Sequence, residues 1–412
     1  MAAIIGNALE IYDFTVYAIY AVIIGRLFFP LQSEFGQLLL SVSVFGIGFI
    51  MRPLGAIVLG AYADRAGRKA ALTLTILMMA LGTGMLAITP TYEAIGIAAP
   101  FIVVAARLLQ GFSAGGELGA ATTFLLEMAP PKQRGYFASW QSASQGLAIF
   151  VAGLIGYILS VSLTPEALNS WGWRLAFLVG LLIAPVGLYI RSQVDETMDL
   201  SAAHTTSLAV IRNLFRDHWY DVLICTGMIT GGTISVYIVS NYMTTYAVTA
   251  LHLPTSTGML ATLTAGIFGL FAAVAGGILS DRYGRRLLMI APLVALILAI
   301  YPAFLIITKF GTMWALVSMV AVLTTLRAMG SAVVLVKLAE GFPAAIRSSG
   351  VALAYALGVT IFGGSAQSII TWLIRVTGDP MAPSWYLIAA NVVTLISILL
   401  LREHKNQIGA AP

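Results

Sequence analysis

The stretch Gly60-Ala-Tyr-Ala-Asp64-Arg65-Ala-Gly67-Arg68-Lys69 follows an apolar run and returns later as Gly277-Ile-Leu-Ser-Asp281-Arg282-Tyr-Gly284-Arg285-Arg286. The two copies are 217 residues apart (281 − 64). A second pattern, Glu127-x-x-Pro130-x-x-x-Arg134, returns as Glu340-x-x-Pro343-x-x-x-Arg347 at an offset of 213 (340 − 127). Two patterns repeated at nearly one offset indicate a chain built from two related halves.

The composition between these motifs is that of a membrane protein. The 412 residues are 59% hydrophobic and only 9% charged, whereas a soluble globular protein carries about 25% charged residues. Apolar runs of about 20 residues recur along the chain and must form helices in a bilayer. We therefore predict an all-α membrane protein with twelve transmembrane helices, at residues 4–29, 37–61, 70–89, 95–128, 135–161, 171–192, 218–249, 255–279, 287–308, 311–340, 346–376 and 384–402.

The longest polar stretch predicts the division of the chain. It separates an N-terminal six-helix bundle, residues 1–192, from a C-terminal bundle, residues 218–412, so that 193–217 form a central loop. Basic residues cluster in alternate gaps between the helices, and this asymmetry predicts that the loop and both termini are cytoplasmic. The formal net charge of +5 is then a signal of topology rather than of nucleic-acid binding.

The repeated motifs place acids beside arginines at helix ends. A carboxylate there can hold a neighbouring helix end through charge-assisted hydrogen bonds, which can form and break as the halves move. The alternative is that these charges only anchor helix ends at the membrane surface. The predicted gating residues are Asp64, Arg65, Arg68, Glu127, Arg134, Asp281, Arg282, Arg285, Glu340 and Arg347.

Ionisable side chains inside the predicted helices are few, and such residues are costly enough to indicate function. Asp13 is the first candidate for proton coupling, followed by Glu10 and Glu117. Burial favours the neutral form of an acid and a nearby arginine favours the charged form, so a moving arginine can switch protonation. Glu10 and Asp13 are three residues apart and share one face of helix 1.

Buried arginines and amides predict the substrate class. Guanidinium groups are forked donors that suit carboxylates, and amides suit hydroxyl or carboxylate groups. The candidate substrate-binding residues are Arg52, Arg107, Gln110, Gln141, Gln145, Tyr242 and Arg327. In the alternative, protein acids neutralise the arginines, Arg52 supports a kink at Pro53, and the glutamines only link helices. A zwitterion would instead need an aromatic cage, which Tyr12, Tyr17, Tyr20, Tyr237 and Tyr242 could supply.

The duplicated Asp-Arg motif resembles the signature of the major facilitator superfamily. Gly6-Asn7-x-Leu9-Glu10-x-Tyr12-Asp13-Phe14, Arg52-Pro53-Leu54-Gly55 and the segment from Arg107 to Glu117 resemble the metabolite:proton symporters of that superfamily. Ser139-Trp140-Gln141-Ser142-Ala143-Ser144-Gln145 and Trp171-Gly172-Trp173-Arg174 are most similar to citrate–proton symporters. Related sugar porters also place an aspartate on helix 1 and an arginine on helix 4, which implies a pairing of Asp13 with Arg107.

The resemblance implies proton-coupled import of a di- or tricarboxylate such as citrate across the bacterial inner membrane by alternating access. Alternative substrates are 2-oxoglutarate, shikimate, or a zwitterion such as proline or betaine. The sequence shows no nucleophile–base set, metal-ligand cluster or phosphate-binding loop, so we expect no enzyme, metal or cofactor other than the co-transported proton. We expect a monomer in the lipid bilayer, with a small organic anion and no nucleic acid as partner. The first half should hold the proton site and most substrate contacts.

Overall fold

Helices form nearly all of the computed structural model, which describes residues 2–115, 130, 133–192, 216–342 and 346–401. Within these ranges the chain forms no strand, and the predicted all-α fold is confirmed. Its membrane-length helices are α1 (Ala2–Ile19 and Ala21–Phe28), α2 (Glu34–Ile50 and Arg52–Ala66), α3 (Arg68–Ile88), α4 (Ala98–Gly115), α5 (Arg134–Ser162), α6 (Trp173–Ser192), α7 (Trp219–Thr249), α8 (Thr255–Tyr283), α9 (Arg285–Phe310), α10 (Met313–Glu340), α11 (Arg347–Leu357, Gly358–Gly363 and Gly364–Thr377) and α12 (Ala382–Leu400).

Length and hydropathy make these helices membrane spans. Ten helical stretches in the described residues are long and apolar enough to cross a bilayer, and the two segments of α1, bent by 65°, form an eleventh. The 20 residues of α6 extend about 30 Å, which is also the thickness of the hydrocarbon core. The order of helices thus follows the prediction. The proposed division at 193–217 stays a prediction, since most of that segment lies outside the described residues.

The glycines of the duplicated motif adopt the same backbone conformation in both copies. Gly67 precedes α3 with φ +92°, and Gly284 precedes α9 with φ +97°. This region of backbone space favours glycine over residues with a side chain. Each motif is therefore a tight corner between two membrane helices. We use "motif end" for the end of the molecule where these two corners lie, and "far end" for the opposite one.

Two long helix pairs hold the halves together. α5 packs along α8, and glycines allow the approach, since a Cβ added to Gly146 would lie 2.5 Å from the backbone nitrogen of Leu270. Towards the far end, the first segment of α2 packs on the last segment of α11, where Ser43 and Ser368 share a hydrogen bond of 3.3 Å. Small residues at helix interfaces are typical of membrane bundles.

α2 is interrupted at Met51, directly before the Arg52-Pro53 pair. Proline has no N–H to donate, so a helix commonly breaks or bends beside it. The break directs the Arg52 side chain into the protein, where it is 4% exposed.

Some predicted site residues lie outside the described part of the chain. Residues 116–129 include Glu117 and Glu127. The same holds for the side chains of Asp64, Arg65, Arg68, Glu340 and Arg347.

Candidate functional site

A cavity of about 130 Å³ lies between α5 and the second half of the chain. This is well above the roughly 10–15 Å³ that a cavity needs to hold one water molecule, so it has room for several. α7, α9, α10, α11 and α12 form most of its wall, and almost all lining residues lie in the parts of their helices nearer the motif end. The polar lining residues used below are Gln141, Gln145, Arg327, Tyr355 and Asn391.

Among the described lining residues of this cavity, Arg327 on α10 is the one that carries a charge. Its Nε is buried and has no hydrogen-bond partner, and no acidic side chain in the described residues forms an ion pair with it. Arg327 as a whole is partly exposed to the cavity, and a cation with restricted access to water and no counterion is costly. The cavity therefore favours an anion that would supply the missing charge.

Amide and hydroxyl groups surround Arg327 with further donors and acceptors. Gln145 on α5 is hydrogen-bonded to the hydroxyl of Tyr355 on α11. On α12 the amide nitrogen of Asn391 donates to Ser235 at 3.0 Å, and the Asn391 Oδ1 has no partner. Tyr355 and Asn391 were not predicted from sequence. A polar residue in the middle of helix 12 was the available signal for Asn391, and nothing in the sequence distinguished Tyr355.

A second group of charges lies in the first half, next to the cavity. Glu10 and Arg52 form an ion pair of 2.7 Å, with side chains only 1% and 5% exposed. The Arg52 guanidinium also lies 4.3 Å from the ring centre of Phe49 and 4.8 Å from that of Phe14. Arg52 thus has an acidic partner and aromatic neighbours, in contrast to Arg327.

Asp13 and Arg107 belong to one hydrogen-bonded chain. The Thr83 hydroxyl donates to Asp13, and the Gln110 amide donates to Thr83 at 3.0 Å. The Gln110 oxygen in turn accepts a bond of 2.8 Å from Arg107. These four side chains connect α1, α3 and α4 through the interior of the first half.

The pairing of Asp13 with Arg107 is therefore indirect in this structure. The Arg107 guanidinium packs against Phe14, Tyr17 and Phe45, with distances of 4.3, 4.6 and 5.1 Å to their ring centres. These rings hold the cation away from Asp13, and the four-membered chain replaces the direct ion pair. A direct contact in another conformation stays a prediction.

The candidate substrate residues thus fall into two groups. Gln141, Gln145 and Arg327 line the cavity. Arg52, Arg107 and Gln110 are buried in the first half and are not among the described lining residues. Tyr242 points into the second half, where its hydroxyl bonds to Thr371 at 2.9 Å. The expectation that most substrate contacts lie in the first half stays a prediction. The described wall of this cavity comes mainly from the second half.

At the motif end, Asp281 joins the two halves. One carboxylate oxygen accepts from the backbone N–H of Gly135, and the other from that of Tyr136, both at 2.9 Å. These N–H groups belong to the first turn of α5, where unsatisfied donors and the helix dipole favour an anion. The carboxylate at the end of α8 therefore caps α5 of the other half, which is the kind of contact that the motif predicts.

We expect Asp281→Ala to open the motif end more often. Losing a helix cap costs about 1 kcal/mol, which is roughly a fivefold shift in a conformational equilibrium. The measurement is the rate of alkylation of a cysteine placed at Ser331, a cavity-lining residue, in a Cys225→Ser background. That rate should rise by about the same factor.

The matched control is Asp379→Ala. Asp379 accepts a bond of 2.8 Å from the backbone N–H of Met381 before α12, so it makes a comparable contact at the far end without joining the halves. Its loss should leave the alkylation rate unchanged. Equal rates in the two variants would show that Asp281 caps a helix and does nothing more.

Comparison with known proteins shows which family the chain resembles in sequence. A family model described as Major Facilitator Superfamily matches residues 5–367. The chain is 38% identical over 393 residues to the citrate-proton symporter of Klebsiella pneumoniae, covering 95% of this chain and 88% of that protein. It is 32% identical over 428 residues to the proline/betaine transporter of Salmonella typhimurium, covering 100% and 85%.

A solved structure extends the comparison to three dimensions. The xylose transporter of Escherichia coli, in a partially occluded inward-open conformation, superposes with a TM-score of 0.75 over 98% of each chain at 18% identity. That similarity supports the fold, and the sequence matches cover nearly the whole chain. This protein belongs to the major facilitator superfamily of membrane transporters.

Proposed function

We propose that this protein is a proton-coupled symporter that imports an organic carboxylate, with two or three carboxyl groups as in citrate, across the bacterial inner membrane by alternating access. The observation that carries this proposal is Arg327, which among the described residues is the only charge in the cavity wall and has no acidic partner. A carboxylate can meet its guanidinium with two parallel hydrogen bonds. The similarity of the chain to the citrate-proton symporter from Klebsiella pneumoniae supports such a substrate.

A zwitterion such as proline or betaine is the second candidate, because the proline/betaine transporter is also a relative. Recognition of a quaternary ammonium usually uses several aromatic faces. In the part of the cavity wall that the structure describes, Tyr355 is the one aromatic residue. A lone guanidinium with one ring favours the anion over the zwitterion.

The proton site in this proposal is Asp13, with Glu10 and Glu117 as further acids. Asp13 is 4% exposed, and its Oδ1 has no hydrogen-bond partner. A proton arriving at this oxygen would neutralise a buried charge and weaken the attraction that Asp13 exerts on Arg107. Substrate and proton would then favour the same rearrangement of the halves, as symport requires.

The gate in this proposal is the pair of corners at the motif end, with the termini on the cytoplasmic side. Asp281 supplies one contact between the halves, and the duplicated motif implies an equivalent contact for Asp64. Breaking these contacts would admit water to the cavity from the motif end, while the packing of α2 on α11 keeps the far end closed.

Uptake into proteoliposomes tests the proposal. Labelled citrate, tricarballylate, 2-oxoglutarate, shikimate and betaine are each offered with and without an imposed pH gradient, acid outside. We expect a di- or tricarboxylate to accumulate only with the gradient. Uptake of betaine alone would refute the carboxylate, and uptake that follows a sodium gradient instead would refute proton coupling.

A further inference from the structure

We infer that Glu10 is an internal substitute for a substrate carboxylate. It holds Arg52 while the cavity is empty. When a substrate with at least two carboxylates extends from Arg327 to Arg52, Glu10 takes up a proton and releases Arg52. The inference rests on the proposed function. It assigns substrate recognition and one proton to the Glu10–Arg52 pair, separately from Asp13.

The pair has the properties that such an exchange needs. Glu10 and Arg52 are almost completely buried, at 1% and 5% side-chain exposure, and their atoms are 2.7 Å apart. Separating a buried ion pair is strongly unfavourable unless a replacement charge arrives. Another carboxylate at the same guanidinium is the replacement that preserves both charge and hydrogen bonding. The Arg52 Nε has no partner and offers a further donor.

The pair is also next to the cavity. Tyr355 lines the cavity and lies within electrostatic range of both Arg52 and Glu10. Tyr237 on α7 lies in the same range, and its chain neighbour Val236 lines the cavity. Tyr355 is therefore shared by the cavity wall, to which Arg327 also belongs, and by the surroundings of the buried pair. In this inference, movement of the Tyr355 side chain opens a path from the cavity to Arg52.

The difference between the two arginines defines the class of substrate. Arg327 has no acidic competitor among the described residues, so a first carboxylate can bind there without displacing anything. Arg52 already holds Glu10, so a second carboxylate must compete. A monocarboxylate would engage Arg327 alone and leave the pair intact. Only a substrate with two or more carboxylates would open it.

The exchange balances in charge. Glu10 accepts the co-transported proton from a hydronium ion in the cavity: an O–H bond of the hydronium breaks, an O–H bond of Glu10 forms and water is left. The neutral acid then leaves Arg52 to the substrate carboxylate. Among the described residues, the titratable and charged groups that face the pair are Tyr237 from α7, Tyr355 from α11 and Arg107 from α4, and Asp13 lies on the same helix as Glu10 and faces Arg107. Arg107 is bonded to Gln110, so it does not replace Arg52 as the partner of Glu10.

The test compares the wild-type protein with Glu10→Gln in detergent, by calorimetric titration with tricarballylate and citrate at several pH values and in buffers of different ionisation enthalpy. Binding of one ligand molecule should be accompanied by uptake of about one proton fewer in Glu10→Gln than in the wild type. At alkaline pH, where one linked proton changes affinity about tenfold per pH unit, the variant should bind more tightly than the wild type. Loss of a purely structural ion pair would weaken binding instead.

Asp13→Asn is the comparison, since it removes an equally buried acid from the same face of α1 and leaves the Glu10–Arg52 pair in place. Its affinity should still fall with rising pH. Acetate, a monocarboxylate, should bind all three proteins without the proton that depends on Glu10. Equal proton uptake by the wild type and Glu10→Gln, or weaker binding by the variant at alkaline pH, would overturn this inference. Either result would leave the proposed function standing.

Infrared difference spectroscopy of the wild type covers the case in which Glu10→Gln does not fold. Ligand binding should produce a protonated-carboxyl band that persists in Asp13→Asn, and absence of this band would overturn the inference. If the wild type binds no carboxylate at any pH, the proposed function fails and the inference fails with it.

Discussion

Arg327→Ala is expected to lower affinity for the transported anion by roughly 30-fold to several thousandfold, because truncating one partner of a buried charge pair costs about 2–5 kcal/mol. Uptake in proteoliposomes should fall accordingly at substrate concentrations below saturation. The effect is large because Arg327 is the one charged residue in the described wall of the cavity. Direct binding measurements in detergent separate this loss from a defect in movement.

Two variants control for general effects of removing arginine. Arg327→Lys keeps the charge but loses the forked geometry, so it should retain part of the affinity. Arg26→Ala removes an exposed arginine, 51% exposed and paired with Glu34, and should leave uptake unchanged. Thermal stability of Arg327→Ala should be at least that of the wild type, since no acidic partner among the described residues loses its bond. Reduced stability with normal affinity would show that Arg327 is structural.

The motif end was predictable from sequence because its physics is local. A tight corner needs a residue that tolerates positive φ, and the N-terminus of a helix attracts a carboxylate. Gly284 and Asp281 meet these needs within four residues of each other. The duplicated motif predicted a carboxylate that holds a neighbouring helix end, and Asp281 makes such a contact. The Gly67 corner repeats the backbone geometry.

The cavity could not be predicted in the same way. Arg52, Arg107 and Arg327 look alike in sequence, as lone cations in apolar helices. Their roles differ because Phe14, Phe45 and Phe49 cover the first two, while nothing in the described residues neutralises the third. Such differences depend on how helices cross, and helical periodicity does not determine that.

The two acids on α1 illustrate the same limit. Glu10 and Asp13 share a face, yet Glu10 meets Arg52 on α2 and Asp13 meets Thr83 on α3. Thr83 gave no sequence signal, since threonine hydroxyls in helices often bond to their own backbone, as this one also does to Met79 at 3.0 Å. Side-chain direction separates the partners of residues only three positions apart.

Asp13→Asn is expected to lower the accumulation driven by the pH gradient while preserving exchange of labelled for unlabelled substrate across the membrane. Asparagine has nearly the shape of aspartate and can still accept from Thr83, but it cannot gain or lose a proton. The variant keeps Glu10 and loses the proton of Asp13, so each substrate is coupled to one proton fewer. The accumulation ratio should therefore fall about tenfold for each unit of the imposed pH difference, while counterflow continues.

Glu34→Gln is the matched control, because it neutralises an acid that is 84% exposed and lies far along the chain from the buried network. It should accumulate substrate like the wild type. Thr83→Val tests the network from the other side: it removes the donor to Asp13 without removing the titrating group, so coupling should survive with a shifted pH dependence. Accumulation by Asp13→Asn at the wild-type ratio would make Asp13 a structural residue and leave Glu10 as the remaining described acid inside the first half that could couple transport to protons.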